Sequence, residues 1–268
     1  MSRILSAIVL IVGIGGTILY LPSWATVALA AVAAAAGGVE LARLARPLGV
    51  SVTPGFVALS AAAFCVVLTI NLPAEAMHRD LIVALVIGVM VAAGLVTLAS
   101  IPPGPSVFVS IAVMLLAPLY VGVPLGAMAW VREARGPAPL IWLVAVIALS
   151  DSAQYYAGNL WGRRKLAPVV SPKKTVEGAF GGFVVAPLAG ALLGRWAFPE
   201  LAVPVTAALA LGLALFGMAG DLFESLLKRS VGAKDSSALI PGHGGVLDRV
   251  DAYLFAAPVF YLFLRYVA

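Results

Sequence analysis

Apolar runs of about twenty residues follow one another along almost the whole chain, and this succession constrains the fold more than any other feature. A helical run of that length matches the ~30 Å hydrocarbon core of a bilayer. Nine such segments are read, near residues 4–22, 24–43, 54–72, 81–100, 106–123, 139–157, 178–196, 201–227 and 252–267. Turn-forming groups separate them, among them Leu21-Pro22-Ser23, Arg46-Pro47, Asn71-Leu72-Pro73 and Pro102-Pro103-Gly104-Pro105. With 62% hydrophobic and 11% charged residues, there is too little polar surface to cover a water-facing globule of 268 residues. A soluble domain and a disordered chain are both excluded. The expected fold is all-α: a polytopic integral membrane protein with about nine transmembrane helices and two polar cytoplasmic loops. Residues 1–137 form an N-terminal set of helices and 138–268 a C-terminal catalytic region.

The net charge of +5 reads first as an orientation signal. With the N-terminus in the cytoplasm, 12 of the 17 Lys and Arg fall on the cytoplasmic side and 5 on the other. Arg132, Glu133 and Arg135 then occupy a tight loop on the far side. The apolar run after Arg3 has no small-residue cleavage site, so it is expected to be a span and not a signal peptide. Cys65 is the single cysteine, which leaves no intrachain disulfide and no cysteine cluster for zinc. Ala- and Gly-rich stretches, such as 31–38, point to close helix packing in lipid.

Two polar segments interrupt this economy of connections, 158–177 and 228–251, both on the predicted cytoplasmic side. Acidic residues gather beside them. Asp151, Asp221, Glu224, Asp248 and Asp251 lie within or at the ends of predicted spans, where an ionisable group costs about 2.5–3.5 kcal/mol at mid-span and demands a partner. The alternating topology brings Asp151, Asp221, Asp248 and Asp251 to similar depth. Asp221, Glu224, Ser225 and Lys228 share one helical face. Carboxylates converging beside Lys and Arg suit a hard cation such as Mg²⁺ next to an anion site. Interhelical salt bridges, for instance of Asp221 or Asp248 with Lys228 or Arg249, are the competing reading. Lys173, Lys174, Lys228, Arg229, Lys234 and Arg249 are candidate phosphate ligands. The turn Gly242-His243-Gly244-Gly245 offers backbone N–H groups to a phosphate. No GxxxxGK[ST] loop is present, which removes P-loop NTPases. Glu40 is read as a structural partner of Arg43, and His78 as incidental.

Residues 225–251 carry Ser225, Lys228-Arg229, Lys234-Asp235, Ser237, His243-Gly244-Gly245, Asp248-Arg249 and Asp251. This spacing resembles the signature of the phosphatidate cytidylyltransferases (CDP-diacylglycerol synthases), S-x-x-K-R-x4-K-D-x-S-x5-H-G-G-x2-D-R-x-D, at every fixed position. The stretch from Asp151 to Gly182, with Ser171-Pro172-Lys173-Lys174-Thr175, is also similar. It departs at Val176, where an aromatic residue is common, and at Gln154, where a small one is. The resemblance implies a dimeric bacterial inner-membrane enzyme that joins CTP and phosphatidate into CDP-diacylglycerol and pyrophosphate with Mg²⁺, and binds no nucleic acid. It implies metal ligation by Asp221 and Asp248, with Asp251 close behind. It implies catalytic roles for Lys228, Arg229, Lys234, Asp235, His243 and Arg249, and substrate contacts from Lys173, Lys174, Ser225, Gly244 and Gly245. An ion-coupled membrane transporter and a CTP-dependent lipid-alcohol kinase are the alternatives.

Overall fold

Prolines and glycines mark many of the helix boundaries. The computed structural model describes residues 2–70, 75–240, 242 and 244–267. Its helices are α1 (Ser2–Tyr20), α2 (Ser23–Leu44), α3 (Pro54–Val67), α4 (Glu75–Ser100), α5 (Ser106–Ala117), α6 (Val123–Arg135), α7 (Pro137–Trp161), α8 (Val176–Ala197), α9 (Val203–Ser230) and α10 (Leu247–Tyr266). Prolines sit in the first turns of α3, α7 and α9, where the missing N–H costs nothing. A π-helical turn, Pro118–Gly122, joins α5 to α6 without a break, so Ser106–Arg135 is one rod of 30 residues. The rod ends at Gly136, whose φ of 83° an L side chain rarely adopts.

Among the described residues, six helices are long and apolar enough to cross a membrane: α2, α4 from Met77, the α5–α6 rod, α7, α8 and α9. Their outer surfaces carry exposed Val91, Leu95, Leu98, Phe108, Leu188 and Leu192, as a lipid-facing surface requires. The chain is an α-helical integral membrane protein.

Three sequence expectations change. Residues Arg132, Glu133 and Arg135 are not a loop; they form the last turn of α6. Arg132 Nε donates to Ile18 O at 2.8 Å and Nη2 to Leu21 O at 3.1 Å, while Arg135 donates to Leu264 O. These cations therefore sit on the carbonyl ends of α1 and α10, where the helix dipoles are negative. Segment 158–177 is only partly a loop. α7 continues to Trp161, and an antiparallel hairpin follows, β1 (Lys165–Ala167) and β2 (Ser171–Thr175), which adds a small sheet to the all-α expectation. Segment 228–251 begins and ends in helix, so that Asp248 and Asp251 lie in the first turns of α10 and do not precede it.

Two buried clusters hold the bundle. One surrounds Trp142, which stacks on Phe260 with centroids 5.6 Å apart and donates Nε1 to Gly190 O at 3.2 Å. It draws on α6 through α10. The other surrounds Val57, Ala61, Cys65 and Met114 of α3 and α5, and includes Leu247 and Leu254 of α10. α10 thus belongs to both. Glycines permit the tightest crossings: a Cβ on Gly190 would run into Ala210 of α9, and one on Gly122 into the Ala61 carbonyl.

Candidate active site

The acidic end of the bundle is built where α9 finishes and α10 begins. This lies one length of α10, about 30 Å, from the end braced by Arg135. Gly220 lets the two helices meet, because a Cβ there would stand 2.6 Å from the Asp251 carbonyl oxygen. That contact brings the backbone beside Asp221 of α9 against Asp251 of α10, and each carboxylate is within reach of the other's charge and of Asp151 on α7. Lys174 of β2 reaches in and pairs with Asp221, Nζ to Oδ2 2.6 Å. Ser225 Oγ donates to the other Asp221 oxygen at 3.4 Å, one helical turn on.

The hairpin is held in place for this. Thr175 caps α8, its Oγ1 accepting from Gly178 N at 3.1 Å. The Glu177 carboxylate accepts from the backbone N–H groups of Arg163 and Arg164 at 3.0 and 3.2 Å. Strand alternation then separates two neighbouring lysines: Lys174 turns toward Asp221, and Lys173 is exposed.

Deeper in, Lys228 is buried between two carboxylates. It pairs with Glu224, one turn back on α9, and with Asp248 Oδ1 at 2.6 Å. Glu224 is fully buried, and its Oε1 has no hydrogen-bond partner among the described residues. Asp248 is a hub. Its Oδ2 accepts from Ser236 N (2.9 Å), Ser236 Oγ (2.9 Å) and Gly245 N (2.8 Å). As placed, the Gly245 N–H is committed to Asp248 and is not free for a phosphate. Gly244 has φ 79°, and a Cβ on it would lie 2.6 Å from Asp248 Oδ2, so both glycines serve the close approach of carboxylates.

The other sequence candidates are distributed differently. Arg229 braces the hairpin and its own loop, donating to Val170 O at 3.4 Å and Ala233 O at 3.0 Å. Lys173, Lys234, Asp235 and Arg249 are exposed and make no ion pair among the described residues. His243 lies outside the described residues. His78 is buried at the base of α4, its Nε2 3.1 Å from Val67 O. Glu40 does not pair with Arg43: it is buried at the end of α2, accepts hydrogen bonds from Ser237 Oγ, Val246 N and Leu247 N, and shares the Ser236 hydroxyl with Asp248. An acidic residue inside an apolar run was the available signal, and its spacing to Arg43 pointed to the wrong partner. Spacing along one helix cannot reveal donors some two hundred residues away.

Among the described residues, no three His, Cys, Asp or Glu side chains stand close enough to form a ready-made metal site. The donor chemistry still fits Mg²⁺, which needs only one or two carboxylates when phosphates supply the rest. Asp221 and Asp251 offer hard oxygens within each other's electrostatic reach.

Comparison with known proteins places the chain in a family. The model of the cytidylyltransferase family matches residues 1–267. A phosphatidate cytidylyltransferase of Bacillus subtilis strain 168 is 40% identical over 153 residues, 56% of each chain. The enzyme of that name from Staphylococcus epidermidis is 35% identical over 158 residues, 59% of this chain and 60% of its own. The Escherichia coli K12 protein YnbB, described as uncharacterized, is 43% identical over 128 residues, 47% of this chain and 42% of its own. The chain thus spans about half the length of the curated relatives it matches. From the match along nearly its whole length, the chain belongs to the cytidylyltransferase family.

Proposed function

We propose that this protein transfers CMP from CTP to phosphatidate, giving CDP-diacylglycerol and pyrophosphate, at the cytoplasmic face of a bacterial inner membrane. The observation that carries the reading is the meeting of Lys174, Asp221, Lys228, Asp248 and Asp251 at one end of the bundle, in a chain 35–40% identical over more than half its length to proteins named for that reaction. Nine spans with the N-terminus inside would place this end at the cytoplasmic interface. There a soluble nucleotide and a lipid headgroup can meet. A homodimer is part of the proposal through the family resemblance.

The chemistry asks little of a general base. A phosphate monoester has a second pKa of about 6, so the lipid phosphate is already a dianionic nucleophile near neutral pH. One of its oxygens attacks the α-phosphorus of CTP; the new P–O bond forms as the bond to the β-phosphate bridge breaks, and pyrophosphate leaves. The obstacle is repulsion between two anions. Lys174 and Lys228, held by carboxylates at fixed points, and the exposed Lys173, Arg229, Lys234 and Arg249 would neutralise and orient the phosphates. Mg²⁺, held by Asp221 and Asp251 with Asp248 adjacent, would supply further charge neutralisation. In the present geometry Asp248 is 6% exposed and serves Lys228 and the loop, whereas Asp221, though paired with Lys174, is 31% exposed and the more accessible ligand.

Membranes bearing the protein should move label from α-³²P-CTP into phosphatidate and release unlabelled pyrophosphate. Label arriving only from γ-³²P-CTP would instead identify a kinase, and no transfer from either would overturn both. Excess EDTA should lower CMP transfer at least about 100-fold, with recovery on adding Mg²⁺. Full activity in EDTA would remove the metal from the proposal.

A further inference from the structure

We infer that Glu40, far from the signature in sequence, is a positioning residue that holds the signature loop in its working shape; the inference rests on the reaction proposed above. Glu40 sits at the end of α2 and is 2% exposed. Its oxygens take three hydrogen bonds from the segment between α9 and α10 and share a fourth donor, the Ser236 hydroxyl, with Asp248. Oε1 accepts from Ser237 Oγ at 2.7 Å and Val246 N at 3.0 Å; Oε2 accepts from Leu247 N at 2.8 Å and lies 3.1 Å from Ser236 Oγ. Three donors, and a Ser236 hydroxyl whose single proton is shared with Asp248, face the four acceptor directions of the carboxylate. Val246, the residue before α10, supplies no side-chain cap of its own. Glu40 therefore caps α10 from another helix, placing a negative charge where the dipole of α10 is positive.

The clamp leads to the proposed centre. Ser236 Oγ stands between Glu40 Oε2 and Asp248 Oδ2, and Asp248 Oδ1 holds Lys228. Glu40 itself does not touch Lys228, so its influence runs through the loop. It also accounts for Gly245 of the signature: a Cβ there would run into both Ser236 Oγ and the Glu40 carboxylate. The second glycine is thus the space into which a carboxylate of the N-terminal half enters.

Glu40→Gln keeps the size but replaces one acceptor oxygen with a donor. In the full-length protein reconstituted in lipid discs, this variant should lower kcat at least about 30-fold, while KM for CTP changes less than about threefold, because substrate-facing cations remain in place. Amide hydrogen exchange in residues 236–247 should rise at least about tenfold, with α4 and α8 unchanged. Ser237→Ala, a milder change that removes one of the donors to Glu40, should give intermediate values of both and serves if Glu40→Gln does not accumulate. Parental kcat and parental exchange in both variants would overturn the inference. So would a uniform rise in exchange across all helices, which would make Glu40 a general support of the fold. The exchange comparison needs no substrate, so it decides the clamp even if CMP transfer proves not to be the reaction.

Discussion

Lys228→Met is expected to abolish CMP transfer, by at least about 1000-fold, and to destabilise the protein by about 3–5 kcal/mol. The Lys228 side chain is only 10% exposed and lies between Glu224 and Asp248, which are 0% and 6% exposed. Methionine fills a similar volume but leaves two buried carboxylates facing one another. Removing one partner of a buried ion pair costs far more than the pair contributes, because the remaining charge has no water to turn to. Lys228→Arg separates the two effects. It keeps the charge, so much of the stability should return. A planar guanidinium cannot reproduce a point charge between two carboxylates, and turnover should stay at least tenfold down. Thermal midpoints in detergent and initial rates of label transfer provide the measurements. A Met variant with more than a tenth of parental turnover would remove Lys228 from the centre.

Asp248→Asn should cost about 100- to 1000-fold in turnover while the protein still inserts and folds. The native carboxylate accepts Lys228 on one oxygen and three donors on the other. An amide has one acceptor oxygen and presents hydrogens on its other side. It must abandon either the lysine or the Ser236 and Gly245 donors, and the unmet partner is then a buried polar group. If Asp248 serves mainly through Lys228 and the loop, the Mg²⁺ concentration for half-maximal residual activity should change little. Asp251→Asn should raise it at least tenfold. The reverse pattern would make Asp248 the principal metal ligand. Parental turnover in Asp248→Asn would exclude it from both roles.

Much of the site was legible because its signals are local. The face Asp221–Glu224–Ser225–Lys228 follows from helical period, and the Lys228–Asp248 pair was an open alternative. The division of labour among the basic residues was not legible. Lys173 and Lys174 are neighbours in sequence, yet strand alternation sends them to different surroundings. Arg229 follows Lys228 directly, yet it turns to the carbonyls of Val170 and Ala233. The charges at 132–135 suggested a loop because a polar run breaks apolar periodicity. Their partners, the carbonyls of Ile18, Leu21 and Leu264, lie on or just past helices more than a hundred residues away.

Composition and the spacing of apolar runs determined by themselves that this chain lives in a membrane as helices, since no other use of so few polar side chains satisfies its backbone in lipid. The signature determined which family the chain joins. Only the tertiary structure decided what the acidic residues hold. Asp248 is taken up by Lys228 and the loop, Asp221 and Asp251 meet across Gly220, and Glu40 reaches from α2 to cap α10. The reason is physical: a buried carboxylate takes its identity from the donors around it, and in a folded bundle those donors come from segments whose distance in sequence carries no information about their distance in space.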